Sequence, residues 1–229
     1  DNRAPSMASA TLSSAGGFQS GETIACTPSA TDADGDSLSL SYSWTSNGLA
    51  LGSTADSYAV VPGSVSVGAD ITCTATATDP WGGTDSASAS AILENSTPLL
   101  SVSISPAAGI QLSTALTCTE SASDPDGSVP SVTLEWFNGS AAIGSGPTLQ
   151  LSSLIAAAGD TVTCAATAID ADDVTVSVAA SDSVSVDNTP PELTDLSIAP
   201  DPAATSDVLL ASYTAIDADG HSVSCSFEW

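Results

Sequence analysis

Three short acidic turns carry the side chains in this chain best suited to chemistry. They read Asp32-Ala33-Asp34-Gly35-Asp36, Asp124-Pro125-Asp126-Gly127-Ser128 and Asp217-Ala218-Asp219-Gly220-His221. In each, the first Asp stands twelve residues before a Trp: Trp44, Trp136 or Trp229. Closely spaced carboxylates can ligate a hard divalent cation, and two carboxylates can also act as the acid and base of a glycosidase. The same residues are good turn formers, because Asp bonds its own backbone and Gly accepts positive φ. A pair repeated once per copy argues for structure over catalysis. The pattern is not an EF-hand, since Gly stands at loop position four and the twelfth position is Ser43 in the first copy. Glu135 and Glu228 fill that twelfth position but alternate with inward Trp, so they should point outward.

The rest of the composition narrows the partners. Asp and Glu total 27 against one Arg and no Lys, giving a formal charge of -26. Such a surface repels phosphate backbones and anionic headgroups, so nucleic acid and membrane surfaces are poor partners and divalent cations are natural ones. No apolar run approaches eighteen residues, so no membrane insertion is expected from this segment. The chain opens at Asp1 without a charged and apolar leader, as expected of a mature or excised fragment.

An internal repeat organises these features. Asn2, Asn95 and Asn188 stand 93 residues apart, which predicts repeats over 1–94 and 95–187 and a partial third over 188–229. Within each full repeat, Cys26 and Cys73 are 47 apart and Cys118 and Cys164 are 46 apart, each pair flanking a Trp. In a two-sheet sandwich that order puts the sulfurs on facing strands, so both pairs are expected as disulfides, which implies an oxidising compartment and export. The alternative is four buried thiols. Cys225 is odd; its parity matches Leu40 and Val132, which suggests a buried small hydrophobe.

Period-two alternation supplies the strands. Leu38, Leu40, Tyr42 and Trp44 alternate with serines, Ile24 with Cys26 and Ile71 with Cys73 point inward, and Leu116, Cys118, Val132, Leu134, Trp136, Val162 and Cys164 repeat the pattern. Asn47-Gly48 predicts a type I′ hairpin, and Asn138-Gly139 recurs near the matching place. A last strand is expected from Val174 to Val186, Leu210 is an inward candidate in the third repeat, and Val223, Cys225, Phe227 and Trp229 should form its Trp strand. Trp81, on a Gly-rich loop, is expected to be exposed. No helix is predicted. The fold class is all-β: tandem immunoglobulin-like β-sandwich repeats, the third incomplete.

The Asp-x-Asp-Gly turn feeding a Tyr-Ser-Trp strand, then Asn-Gly, with Asn-x-x-Pro linkers, resembles the tandem immunoglobulin-like and cadherin-like repeats of large prokaryotic surface proteins. The resemblance covers both full repeats and the start of the third. It implies an extracellular stalk or adhesin module with Ca²⁺ at repeat boundaries, where linker, second-strand loop and sixth-strand loop would meet. The expected ligands are Asp1, Asn2, Asp32, Asp34, Asp36 and Asp79 at the first boundary; Glu94, Asn95, Asp124, Asp126, Asp170 and Asp172 at the second; and Asp187, Asn188, Asp217 and Asp219 at the third. Ser128 and His221 depart from Asp36. Asn95 and Asn138 head glycosylation sequons. Neighbouring repeats or copies of the chain are the expected partners, with glycans an alternative: a carbohydrate-binding accessory module using Trp81.

Overall fold

The computed structural model describes residues 2–228; the ligand expected at Asp1 and the core position expected at Trp229 lie outside them. Strands in chain order are β1 (Ser6–Ser13), β2 (Thr23–Thr31), β3 (Ser39–Ser46), β4 (Leu49–Ala50), β5 (Ser57–Ala59), β6 (Asp70–Thr78) and β7 (Thr84–Ile92). They continue as β8 (Leu99–Ser105), β9 (Ala115–Ser123), β10 (Ser131–Asn138), β11 (Ala141–Ser145), β12 (Thr148–Gln150), β13 (Thr161–Ile169), β14 (Ser177–Ser185), β15 (Glu192–Ala199) and β16 (Leu210–Ile216). There is no helix among the described residues.

In the first sandwich the sheet β1-β2-β5 is joined to β4-β3-β6-β7 by the Cys26–Cys73 disulfide between β2 and β6. The second has β12-β9-β8 and β11-β10-β13-β14, joined by Cys118–Cys164 between β9 and β13. β6 shows why the residues make strands: Ile71, Cys73, Ala75 and Ala77 are buried while the intervening threonines are half-buried, a strict two-residue period. Trp44 and Trp136 sit in the two cores with the bridges, and each ring satisfies its N–H, Trp44 Nε1 to the Ala55 carbonyl at 2.8 Å and Trp136 Nε1 to Gly146 at 2.9 Å. In the third portion the strands among the described residues are the antiparallel pair β15-β16.

By packing, the chain divides into two compact units whose limits cut across the strands. One runs through Leu99 and takes in Ala122–Ser131 and Ala168–Val178; the other holds Leu100–Ser121, Val132–Thr167 and the chain from Ala179 on. The acidic loops of the second sandwich therefore belong with the first unit.

Several expectations are corrected. Leu40 shares Trp44's parity yet is 46% exposed, because it sits near the loop end of β3 opposite only Ala77. Asn47 and Gly48 do both have positive φ, as a type I′ turn requires. Asn138, however, still pairs with Ala141, so Gly139 is the first central residue and the turn is of the II′ kind. β14 starts at Ser177, not Val174, because Asp170 and Val176 close a loop through Asp170 N–H to the Val176 carbonyl and leave Val174 exposed. Leu210 and Cys225 are exposed and residues 221–228 form no strand; Phe227 packs on Tyr213 of β16, ring centroids 5.1 Å apart, but among the described residues no strand pairs with this segment and no second sheet covers β15-β16.

Candidate metal centre at the repeat junctions

The acidic turns are organised by their first Asp. Asp32 Oδ1 accepts the N–H groups of Asp34 and Asp36, at 2.8 and 3.3 Å. Asp124 Oδ1 accepts that of Asp126 at 2.7 Å, and Asp217 Oδ1 those of Asp219 and His221 at 2.9 and 3.4 Å. Gly35, Gly127 and Gly220 follow with φ between 78 and 88°. Gly127 has a second reason: a Cβ there would stand 2.7 Å from the Gly63 nitrogen, where the Gly63 N–H bonds the Asp126 carbonyl at 2.8 Å.

The second Asp of each turn holds the incoming linker. Asp34 Oδ2 accepts the Arg3 N–H at 2.6 Å, Asp126 Oδ2 that of Ser96 at 2.6 Å, and Asp219 Oδ2 that of Thr189. The linker Asn reaches the sixth-strand loop: Asn2 Nδ2 donates to Asp79 Oδ2 at 3.0 Å, and Asn95 Nδ2 to Asp170 Oδ2 at 2.7 Å. Linker and two loops thus meet at the first and second sandwiches. Exposed Asn188 bonds the Thr189 carbonyl instead.

Glu94 and Asp187 stand apart, whereas Asp172 lies with the second cluster. Glu94 is tied to the first sandwich by its N–H to the Phe18 carbonyl, and its carboxylate faces Gly17. Asp187 donates its N–H to Ile110 at 2.6 Å. Asp172 contributes its N–H to Asp170 Oδ1 at 2.7 Å and its charge to Asp124. Among the described residues, the one group of three acidic or imidazole side chains whose ligand atoms all lie within 4.8 Å is Asp217, Asp219 and His221.

The cluster around Asp124 is electrostatically unbalanced. Burial, then the charges of Asp170, Asp126 and Asp172, push the Asp124 carboxyl above the ordinary aspartate range, against one backbone hydrogen bond. For Asp170 burial also opposes ionisation, but the Asn95 amide and the N–H groups of Asp172 and Asp173 outweigh it and hold the carboxyl low. At the first sandwich the Asn2 amide, then the N–H groups of the 81–83 turn, lower Asp79 against a smaller burial effect. Four oxygens in these turns and linkers are buried without a hydrogen-bond partner: Asp32 Oδ2, Asp124 Oδ2, Asn95 Oδ1 and Ser128 Oγ. Three of these are acceptors and the fourth is a hydroxyl, and oxygens of both kinds can ligate a hard cation.

Sequence reasoning missed Ser96, whose main-chain N–H and hydroxyl both bond Asp126, because a backbone donor leaves no residue signature. It also missed Asp85 and Asp182, which accept the Met7 and Ile104 N–H groups at 2.7 and 2.8 Å, because here too the donor is a main-chain nitrogen. Both sequon amides are committed: Asn138 Nδ2 donates to Ile155 and Asp160, and Asn95 Nδ2 to Ser96 and Asp170. Trp81 is 76% exposed.

No protein-family model matches the chain, and no curated protein matches it. Among solved structures it is similar to the three N-terminal domains of the bacteriophage RB49 highly immunogenic outer capsid protein, at 13% identity over 93% of this chain and 70% of that chain, TM-score 0.32. It is similar to the fibronectin(III)-like modules of Clostridium thermocellum CbhA, at 14% identity over 77% and 94%, TM-score 0.30. It is also similar to extracellular cadherin domains 3–6 of protocadherin gamma B2, at 14% identity over 95% of this chain and 62% of that chain, TM-score 0.33.

Proposed function

We propose that this chain is a non-enzymatic structural module, a stalk or filament segment of an extracellular or cell-surface protein, with calcium stiffening the junctions between its repeats. The observation that carries this reading is the linker bond made alike at three places, from Arg3 to Asp34, Ser96 to Asp126 and Thr189 to Asp219. A joint rebuilt at each repeat serves a repeating body. Two disulfides support export. Three unpartnered buried oxygens at one junction, Asp124 Oδ2, Asn95 Oδ1 and Ser128 Oγ, support the cation. Asn95, Asp124, Asp126, Asp170 and Asp172 would hold it at the second sandwich, and Asn2, Asp32, Asp34, Asp36 and Asp79 at the first. Bound there, calcium neutralises carboxylates that repel one another and fills acceptors left open.

Small-angle scattering and native mass spectrometry, with calcium and with chelator, test this. Calcium should be retained and the flexibility of the chain reduced. Asp124→Asn gives the sharper sign: without calcium it removes a charge that burial disfavours and should leave stability equal or higher, whereas in calcium it should lower it. Equal behaviour in both conditions would remove calcium from the account. The second reading, a carbohydrate-binding accessory module, rests on the exposure of Trp81 alone, and retention on a glycan array that is lost in Trp81→Ala would favour it.

A further inference from the structure

The peptide joining Asp126 to Gly127 works in two directions. Its N–H stays inside the acidic turn, bonded to the Asp124 carbonyl at 3.0 Å, while its carbonyl leaves the turn and accepts the Gly63 N–H at 2.8 Å. Gly63 lies in the loop 60–69 between β5 and β6 of the first sandwich, and donor and acceptor belong to the same compact unit. The loop is fixed by its own sandwich: Val60 and Val65 are buried in the first core, Val60 donates its N–H to the Glu22 carbonyl at 2.9 Å, and Gly68 donates to Leu93 at 2.8 Å. At its tip Ser64 bonds the Val61 carbonyl through both N–H and hydroxyl, at 3.0 and 2.6 Å, and Gly63 takes a φ of 73°. Beside the bond, Val65, Ser66 and Val67 line a cleft of about 200 Å³ together with Ser128 and Asp172.

This contact is particular to the second turn. Gly35 and Gly220 close the same turn with φ of 80 and 78°, yet a Cβ on either would meet nothing within 4 Å, whereas on Gly127 it would stand 2.7 Å from the Gly63 nitrogen and 3.1 Å from the Pro62 carbonyl carbon. Gly63 stands ten residues before Cys73, and ten before Cys164 stands Leu154, which is 92% exposed.

We propose that the 60–69 loop is a docking element for the second acidic turn, a main-chain latch that closes without a metal ion. Its donor and acceptor are both neutral and both are held in place by bonds within their own segments, so a cation is not needed to bring them together. The latch does not rest on the calcium reading, and its test is made in chelator, so the two fail separately.

Residue-resolved hydrogen exchange by NMR on the full, chelator-treated chain tests it. The Gly63 amide should exchange roughly tenfold more slowly than an unstructured amide, as expected of one net backbone hydrogen bond. Gly127→Ala should return Gly63 to the unprotected rate. Gly35→Ala, which carries the same positive-φ strain with open space around it, should leave Gly63 protected. The Ser64 amide, bonded within the loop, should keep its protection in all three chains and so report that the loop is intact. Three results would each overturn the proposal: Gly63 unprotected in the chelated wild type, protection that appears only with calcium, or equal protection of Gly63 in wild type and Gly127→Ala. The wild-type measurement needs no variant, so it decides the matter even where Gly127→Ala fails to fold.

Discussion

Replacing Asn95 by Ala should release the linker from the second sandwich. The 2.7 Å bond from Asn95 Nδ2 reaches Oδ2 of an aspartate that is 1% exposed, so its loss strands a buried carboxylate oxygen. A hydrogen bond to a charged group contributes about 1.5–3 kcal/mol, and an orphaned buried acceptor puts the loss at the upper part of that range. With a urea slope of about 1 kcal/mol/M for a domain this small, the midpoint should fall by about 2.5 M. Hydrogen exchange along β13 against urea reads the second sandwich separately from the first. The pH dependence carries its own sign. Asp170 titrates below its unfolded value of about 3.9, so its contribution is complete above that pH and is lost as pH falls through the folded value. The gap between wild type and Asn95→Ala should therefore be constant near neutrality and close in strong acid. Asp124 runs the other way: its raised pKa makes its ionised form a cost at neutral pH that acidification relieves, and this is common to both proteins. A gap independent of pH, or no gap, would refute the reasoning that the amide holds a charged Asp170.

Removing the Cys118–Cys164 bridge as a double Ala variant should cost about 4 kcal/mol from its 46-residue separation, whereas Cys225→Ser should be neutral; thiol counting on the native chain should find one free thiol. Gly127→Ala forces a side chain into positive φ and within 2.7 Å of the Gly63 nitrogen, so it should destabilise by at least about 2 kcal/mol in thermal unfolding. Expressed in a glycosylating host, the chain should leave Asn138 bare by peptide mass mapping, because a glycan would displace its bond to Ile155 or Asp160.

The cores and bridges were legible because a two-residue period and a cysteine pair about a Trp are local signals with one physical solution in a sandwich. Ile71, Cys73, Ala75 and Ala77 needed only parity. What parity could not say is where a covering sheet ends, and so Leu40 and Leu210 were expected inside. Nor could dipeptide chemistry give register: Asn138 looked like the first residue of a turn and is the last residue of a strand. At the junctions the carboxylates announced themselves, while their donors did not. Ser96 and Thr189 act through main-chain nitrogen, which every residue but proline possesses.

The carboxylates of this chain are satisfied chiefly by amide hydrogens: Asp34, Asp85, Asp126 and Asp182 each receive a distant backbone N–H at 2.6–2.8 Å. Such bonds join an anion to a neutral dipole, so added electrolyte has no opposite charge in them to screen. The remaining long-range electrostatics, set by a charge of -26, is nearly all self-repulsion, and in 1 M salt it is screened beyond about 3 Å. Brine therefore removes what opposes this fold and spares what specifies it, the reverse of a protein held together by ion pairs.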